Sequence, residues 1–362
     1  MISPLIYSTL YLFIVSVLTI FVGWGYAKRQ NYVVNSTPSI NMTGGWIVAI
    51  FMTLFIGFRP VHGVFVDMVN YREVYNHYLY NDFSFELWRE NILFDNLFLY
   101  LSANAFDITV FFFLIAVIYF VGTYIAMIKM FKNDALYAYL AFLAAFSTFS
   151  YGTNGIKAGA AATLFILALA YNRKIFISIL LLAASLGFHH SMILPIGAYI
   201  CCYFYRNSRA YLIFWILSLI IAALHISYFQ NLLGGMADDR SATEYLSELS
   251  DWGGKTGFRL DFILYSAVPI AVGYYAMIIK KLQSKEYKLI YNIYVFTNAV
   301  WMLCMYANFT NRIAYLSWFL YPIVLVYPFF REEFISKQYI TLNKVVAFQL
   351  IFTLAMNFIY YA

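Results

Sequence analysis

Twelve apolar stretches divide this chain, and the Lys and Arg residues between them sort by side. One set of loops carries Lys28 and Arg29, Lys129 and Lys132, Arg173 and Lys174, Arg206 and Arg209, then Lys280, Lys281, Lys285 and Lys288, and last Arg331, Lys337 and Lys344. The alternate loops hold Arg59, Arg72, Arg89, Lys157, Arg240, Lys255, Arg259 and Arg312, most of them beside acids or against an apolar stretch. Excess Lys and Arg near span ends marks the cytoplasmic side. The first set is therefore inside. The residues with chemical character (Arg59, His62, Asp67, Lys157, His189, His190 and Arg312) fall on the outer face.

Hydrophobic residues make up 63% of the chain and charged residues 11%, which excludes a soluble globular domain. The net charge of +6 calls for no nucleic acid, because the surplus cations sit in short inner loops facing anionic headgroups. The three cysteines, Cys201, Cys202 and Cys304, lie within apolar stretches and read as small hydrophobes. The first apolar run starts almost at once, and its cations Lys28 and Arg29 follow it, the reverse of a signal peptide. That order leaves the N-terminus outside.

A helix that spans a bilayer needs about 20 mostly apolar residues. The expected spans are 4–25, 44–58, 107–130, 134–151, 156–172, 174–188, 190–205, 210–229, 260–281, 288–307, 312–330 and 341–361. They give an all-α polytopic membrane protein of about 12 transmembrane helices, a single integral-membrane domain over 1–362. The pair 174–188 and 190–205 is short enough that both tilt or one is re-entrant. Two outer segments are too long for connectors. Residues 59–106 mix charge with regular aromatics, the pattern of amphipathic helices at the interface. Residues 230–259, with Gly234, Gly235, Gly253, Gly254 and Gly257, read as a polar hinged cap.

Arg59 follows an apolar run in Gly57-Phe58-Arg59-Pro60, with Asp67 and Tyr71 soon after. Its fixed fork of donors matches phosphate oxygens. The alternative is an Arg that snorkels to headgroups or pairs with Asp67. Lys157, in Asn154-Gly155-Ile156-Lys157-Ala158-Gly159, opens the next span. A cation at a helix N-terminus is unfavourable unless an anion joins it. The competing reading is small-residue helix packing with a snorkelling Lys. The glycines permit close helix approach or a broken helix.

His189 and His190 stand where one span ends and another starts, and a histidine there suits a general base near neutral pH. Adjacent residues on a helix point apart, so one of the two faces a given site. The span after it favours His190. Arg312 begins an apolar span with no acid nearby in sequence, which calls for an anion, water or a headgroup. No Asp-x-Asp pair in an outer loop, Gly-x-Ser-x-Gly elbow, His-Glu-x-x-His, Walker loop or CxxC occurs, so neither a metal nor a nucleotide cofactor is expected.

Gly57-Phe58-Arg59 with Asp67 and Tyr71, then Asn154-Gly155-Ile156-Lys157-Ala158-Gly159, Phe188-His189-His190-Ser191 and Asn311-Arg312-Ile313-Ala314-Tyr315 together resemble the EpsG-like group of Wzy-type O-antigen and exopolysaccharide polymerases. Lys157 departs from the pattern, since such proteins often show Arg followed by Gln there. The resemblance implies a GT-C-like or O-antigen polymerase-like membrane fold. It also implies a bacterial inner membrane location with the active site facing the periplasm, so that 59–106 and 230–259 become periplasmic loops. The implied reaction joins undecaprenyl-pyrophosphate-linked oligosaccharide repeats and releases the donor's lipid pyrophosphate.

Arg59, Lys157 and Arg312 would then hold the departing diphosphate, and His189, His190 or Asp67 would take the proton. Tyr71, Asn154, Arg259 and Tyr315 are further candidates for contacting glycan. A chain-length regulator in the same membrane is an implied partner. A flippase for the same lipid-linked glycan, an O-antigen ligase and a membrane O-acyltransferase are the rival readings.

Overall fold

The computed structural model describes residues 2–28, 39–226, 228, 257–307 and 310–360. Its helices in chain order are α1 (Tyr7–Ala27), α2 (Ser39–Gly57), α3 (Asp67–His77), α4 (Ile92–Ala103), α5 (Ile108–Ala116), α6 (Gly122–Phe131), α7 (Ala135–Leu143), α8 (Thr148–Thr153) and α9 (Ile156–Ala170). There follow α10 (Ile175–Phe188), α11 (Ile193–Phe204), α12 (Ser208–Ala223), α13 (Leu260–Tyr274), α14 (Lys285–Leu303), α15 (Thr310–Trp318), α16 (Tyr321–Val326) and α17 (Gln338–Ala355). Among the described residues there is no strand, and 79% of the molecule is helical. The reason is elementary. Hydrocarbon offers no hydrogen bonds, so an apolar chain must satisfy each backbone N–H and C=O along its own axis.

Among the described residues five runs are long and apolar enough to cross a bilayer: Pro4–Ala27, Ile108–Leu143, Leu260–Ile279, Thr310–Phe330 and Gln338–Ile359. Six more apolar helices are shorter, over 42–57, 92–103, 156–170, 175–188, 190–204 and 208–223. At 1.5 Å per residue α10 reaches about 21 Å, short of the roughly 30 Å hydrocarbon core. The expected span 134–151 is not one helix. It divides into α7 and α8, and the Thr148 hydroxyl spans the division by donating to Phe142 O at 2.6 Å, which also accepts from the Ala145 amide at 3.1 Å. Upstream, Lys132 at φ 52° breaks the run after α6, and α6 packs against α7, so the chain doubles back there.

The chain forms two compact units. The first comprises 1–189 and 337–362. In it α1, α7 and α17 are held together by polar side chains that donate to backbone carbonyls. Tyr11 Oη reaches Leu143 O at 2.8 Å, Asn343 Nδ2 reaches Gly23 O at 2.7 Å and Gln349 Nε2 reaches Ala141 O at 2.6 Å. Polar side chains that bond between helices are the expected adhesive where no hydrophobic drive operates between them. The α9–α10 hairpin is tied in the same way, by Ser185 Oγ to Ala161 O at 2.7 Å.

The second unit, 190–336, is built around α14, whose residues from Leu289 to Leu303 are buried apart from the half-buried Phe296. Asn298 sits at its centre. It accepts from Trp215 Nε1 at 2.8 Å and donates to Ser266 Oγ and Ser317 Oγ, each at 3.0 Å. One amide therefore links α12, α13, α14 and α15.

Of the two long outer segments, 59–106 contains α3 and α4. Helix α3 is two-faced: Met68 and Tyr75, two turns apart, are buried, while Arg72, Glu73 and Asn76 are exposed. Most of 230–259 lies outside the described residues.

Candidate functional site

The apolar run of α2 ends at Gly57, and Pro60 keeps Arg59 from continuing the helix. Arg59 then folds back into the first unit. Its side chain is 1% exposed. Nη1 donates to Ile56 O at 2.8 Å and Nη2 to Thr153 O at 2.7 Å. The guanidinium lies 5.4 Å from the Phe65 ring centre and 5.2 Å from that of Phe112, with Nε buried and making no hydrogen bond. Burial pulls its pKa down to about 9, with Tyr7 opposing, so the group is still a cation at neutral pH. The placement is that of a clamp between the end of α2 and the end of α8. The sequence could not separate this from a snorkelling Arg, since both follow an apolar run.

The chain next makes a tight bend. The exposed His62 caps the short turn Gly63–Phe65 by accepting from Val64 N–H at 3.2 Å through Nδ1. Val66 follows at φ 46°, ψ −86°, a conformation that a β-branched residue adopts only under strain. Two hydrogen bonds bracket the bend. Val66 N–H donates to Gly63 O at 3.0 Å, and Asp67 N–H donates to the side-chain oxygen of Asn154 at 3.1 Å. Asn154 thus caps α3 from another part of the chain and satisfies one of the orphan donors at that helix's start. Asp67 itself stands in the first turn, where a carboxylate suits the helix dipole.

Asn154 and Gly155 form the break between α8 and α9. The break is tight because a Cβ on Gly159 would lie 2.4 Å from the carbonyl oxygen of Tyr151. Lys157 projects from the first turn of α9. The anion that such a cation requires is supplied within the chain: Lys157 Nζ lies 3.8 Å from Asp95 Oδ1, with side chains 22% and 23% exposed. Phe94 lies beneath, its ring centre 5.4 Å from Nζ. Asp95 belongs to the first turn of α4, and α4 is seated against α10 at Gly187, where a Cβ would come within 2.7 Å of Leu93 Cγ.

Three short motifs therefore meet over residues 153–157: Arg59 on the Thr153 carbonyl, Asp67 on the Asn154 side chain, and Asp95 on Lys157. Tyr71 joins them indirectly, half-buried with Phe94 and Phe98 each 6.1 Å away between ring centres. His189 caps the C-terminus of α10 and is buried. Its neighbour Phe188 meets Phe94 edge-on at 6.3 Å.

The remaining candidates belong to the second unit. His190 opens the 3₁₀ turn before α11. Arg312 is half-buried in the first turn of α15, and Tyr315 is buried one turn on, 6.1 Å from Phe319 between ring centres. Arg259, 5% exposed, forms a two-pronged pair with Asp261, Nε to Oδ1 at 2.9 Å and Nη2 to Oδ2 at 2.6 Å. It also stacks 3.5 Å over Phe262. Its fork is already filled by a carboxylate. Among the described residues no group of three or more His, Cys, Asp and Glu side chains gathers that could hold a metal ion.

Sequence reasoning missed Asp95, although it had named the requirement Asp95 meets. Asp95 stands three residues past Ile92, an acid within an otherwise apolar helix start, and nothing in the sequence ties it to Lys157.

No curated protein and no solved structure matches this chain. A family model described as the EpsG family matches residues 45–362, and so covers α3, α4, the α8–α9 break and both histidines. The chain belongs to the EpsG family.

Proposed function

We propose that this protein is a polysaccharide polymerase that joins undecaprenyl-pyrophosphate-linked oligosaccharide repeats at the periplasmic face of the bacterial inner membrane. The observation that carries the reading is the meeting of Arg59, Asp67, Lys157 and Asp95 at a helix break, within a membrane chain whose family points to polysaccharide polymerisation. The inside-positive loops support twelve passes with this face outward.

In the reaction a hydroxyl of the incoming repeat attacks the anomeric carbon of the growing chain. The bond from that carbon to the lipid diphosphate breaks, and the diphosphate leaves with the electron pair. The leaving group is already activated, so no nucleotide is needed. Charge builds on the diphosphate oxygens, and a preorganised cation there is worth about 10²–10³-fold in rate. Lys157 is the partly exposed cation that the first unit offers. Arg312, in the second unit, is kept as a further anion-binding candidate on its sequence setting. Arg59 lies too deep to touch a lipid headgroup and acts by fixing the Thr153 end of the break. His189 or His190 takes the proton from the attacking hydroxyl, worth about 10²–10⁴-fold.

The test supplies purified protein with synthetic lipid-pyrophosphate repeats, without metal or nucleotide, and looks for a ladder of products. The ladder should persist in the wild type and fall by about 10²-fold or more in Lys157→Ala, Arg312→Ala and one of the two His→Ala variants. A single addition to a different acceptor would make the protein a ligase. Movement of the lipid without bond formation would make it a flippase.

A further inference from the structure

We propose that Asp95 is a positioning residue that regulates the anion affinity of Lys157, as a built-in counter-ion which the substrate's diphosphate displaces and which returns as the product lipid leaves. This rests on the reading that Lys157 meets an anionic group. Three observations carry it. The pair is long, at 3.8 Å, and each partner keeps more than a fifth of its side chain open, so an incoming anion has a path to both. Asp95 is held from behind: its amide donates to Asn91 O at 2.8 Å as α4 begins, and Gly187 lets α10 pack against the neighbouring Leu93, so the carboxylate is presented by a fixed helix end. Lys157 is fixed in turn, from the first turn of α9 above the Phe94 ring, with Gly159 locking the break behind it. Neither group needs to travel for the ammonium to change partners.

The energetics set the direction. A long, partly exposed ion pair is weak, so a doubly charged ligand can displace it. While present, the carboxylate repels a second anion and so weakens binding of both substrate and product. Taking it away should strengthen diphosphate binding and slow product release, which separates KM from kcat. A residue that merely supported the fold would shift neither in that pattern.

The experiment measures binding of inorganic pyrophosphate to the intact detergent-solubilised protein, alongside polymerisation rates. Asp95→Asn should bind pyrophosphate roughly two- to fivefold more tightly than wild type. It should lower KM for the lipid donor and lower kcat, and Asp95→Glu should restore wild-type values. Asp95→Asn/Lys157→Met, which removes both members of this pair together and guards against a folding failure of the single variant, should bind more weakly than wild type. If Lys157→Met weakens pyrophosphate binding while Asp95→Asn leaves it unchanged or weaker, the counter-ion role is wrong and the site stands. If pyrophosphate binding is the same with and without Lys157, the site itself is wrong, and this inference goes with it.

Discussion

At the residue scale, the molecule separates two cations that look alike in the sequence. Arg59 and Lys157 both stand at the edge of an apolar stretch, yet one is sealed against two rings and two carbonyls while the other keeps a face open. Their variants should therefore fail differently. Arg59→Lys cannot reproduce the fork, and losing the bond to Thr153 O should cost about 1.5–3 kcal/mol. Thermal unfolding in detergent would read this, with activity falling in step with folded protein. An unchanged melting temperature with a raised KM would place Arg59 on the substrate instead. Asp107 offers a second residue-level check. Its carboxylate accepts from the Thr109 hydroxyl and the Thr109 amide, and these two bonds lower its pKa from the usual 3.8 against a smaller opposing effect of burial. A lowered folded-state pKa means that the stabilisation is complete above 3.8 and is lost as pH falls through the folded-state value. Asp107→Asn should remove that acid-sensitive component, which the wild type loses only as pH falls below the usual 3.8.

At the scale of elements, the α8–α9 break is the feature on which the site depends, and its two close approaches differ in tolerance. A methyl at Gly159 would meet a backbone carbonyl that cannot move without unwinding α8. A methyl at Gly187 would meet the exposed side chain of Leu93, which can yield further than a main-chain carbonyl though it too must shift. Gly159→Ala is expected to destabilise by about 1–3 kcal/mol and to abolish the product ladder, with Gly187→Ala milder in both. Equal effects from the two would show that the break is not what fixes Lys157.

The sequence revealed part of this element. Its run of glycine and alanine announced a close approach or a broken helix, and Lys157 at a helix start announced a missing anion. The identity of that anion was hidden, because Asp95 precedes Lys157 by dozens of residues and nothing local marks the pair. The division of 134–151 was hidden for another reason: hydropathy registers apolar length and is blind to a threonine hydroxyl that bonds a main-chain carbonyl six residues back.

At the scale of the whole molecule, the sequence speaks most directly to sidedness, which depends only on where the cations lie. It makes a direct prediction. A reporter active only in the cytoplasm should work when fused in the loop at Asn207 and fail when fused at Ser84, and the reverse should hold for a reporter that needs the periplasm. The opposite pattern would turn Lys157 and Arg312 inward and end the proposed reaction.

The use of tyrosine was much less legible. The chain has 34 of them, a number that by itself fits rings placed at the membrane interface. Many lie inside instead, and their phenols donate to main-chain oxygens of other segments: Tyr11 to Leu143, Tyr119 to Thr148, Tyr124 to Met42, Tyr287 to Val324, Tyr291 to Ile270 and Tyr294 to Ser266. Such welds hold only while nothing competes for the oxygen. The stiffness of this scaffold is thus on loan from the dryness of its surroundings, and a solvent that lets moisture in among the helices would soften the whole framework before it unwound any one of them.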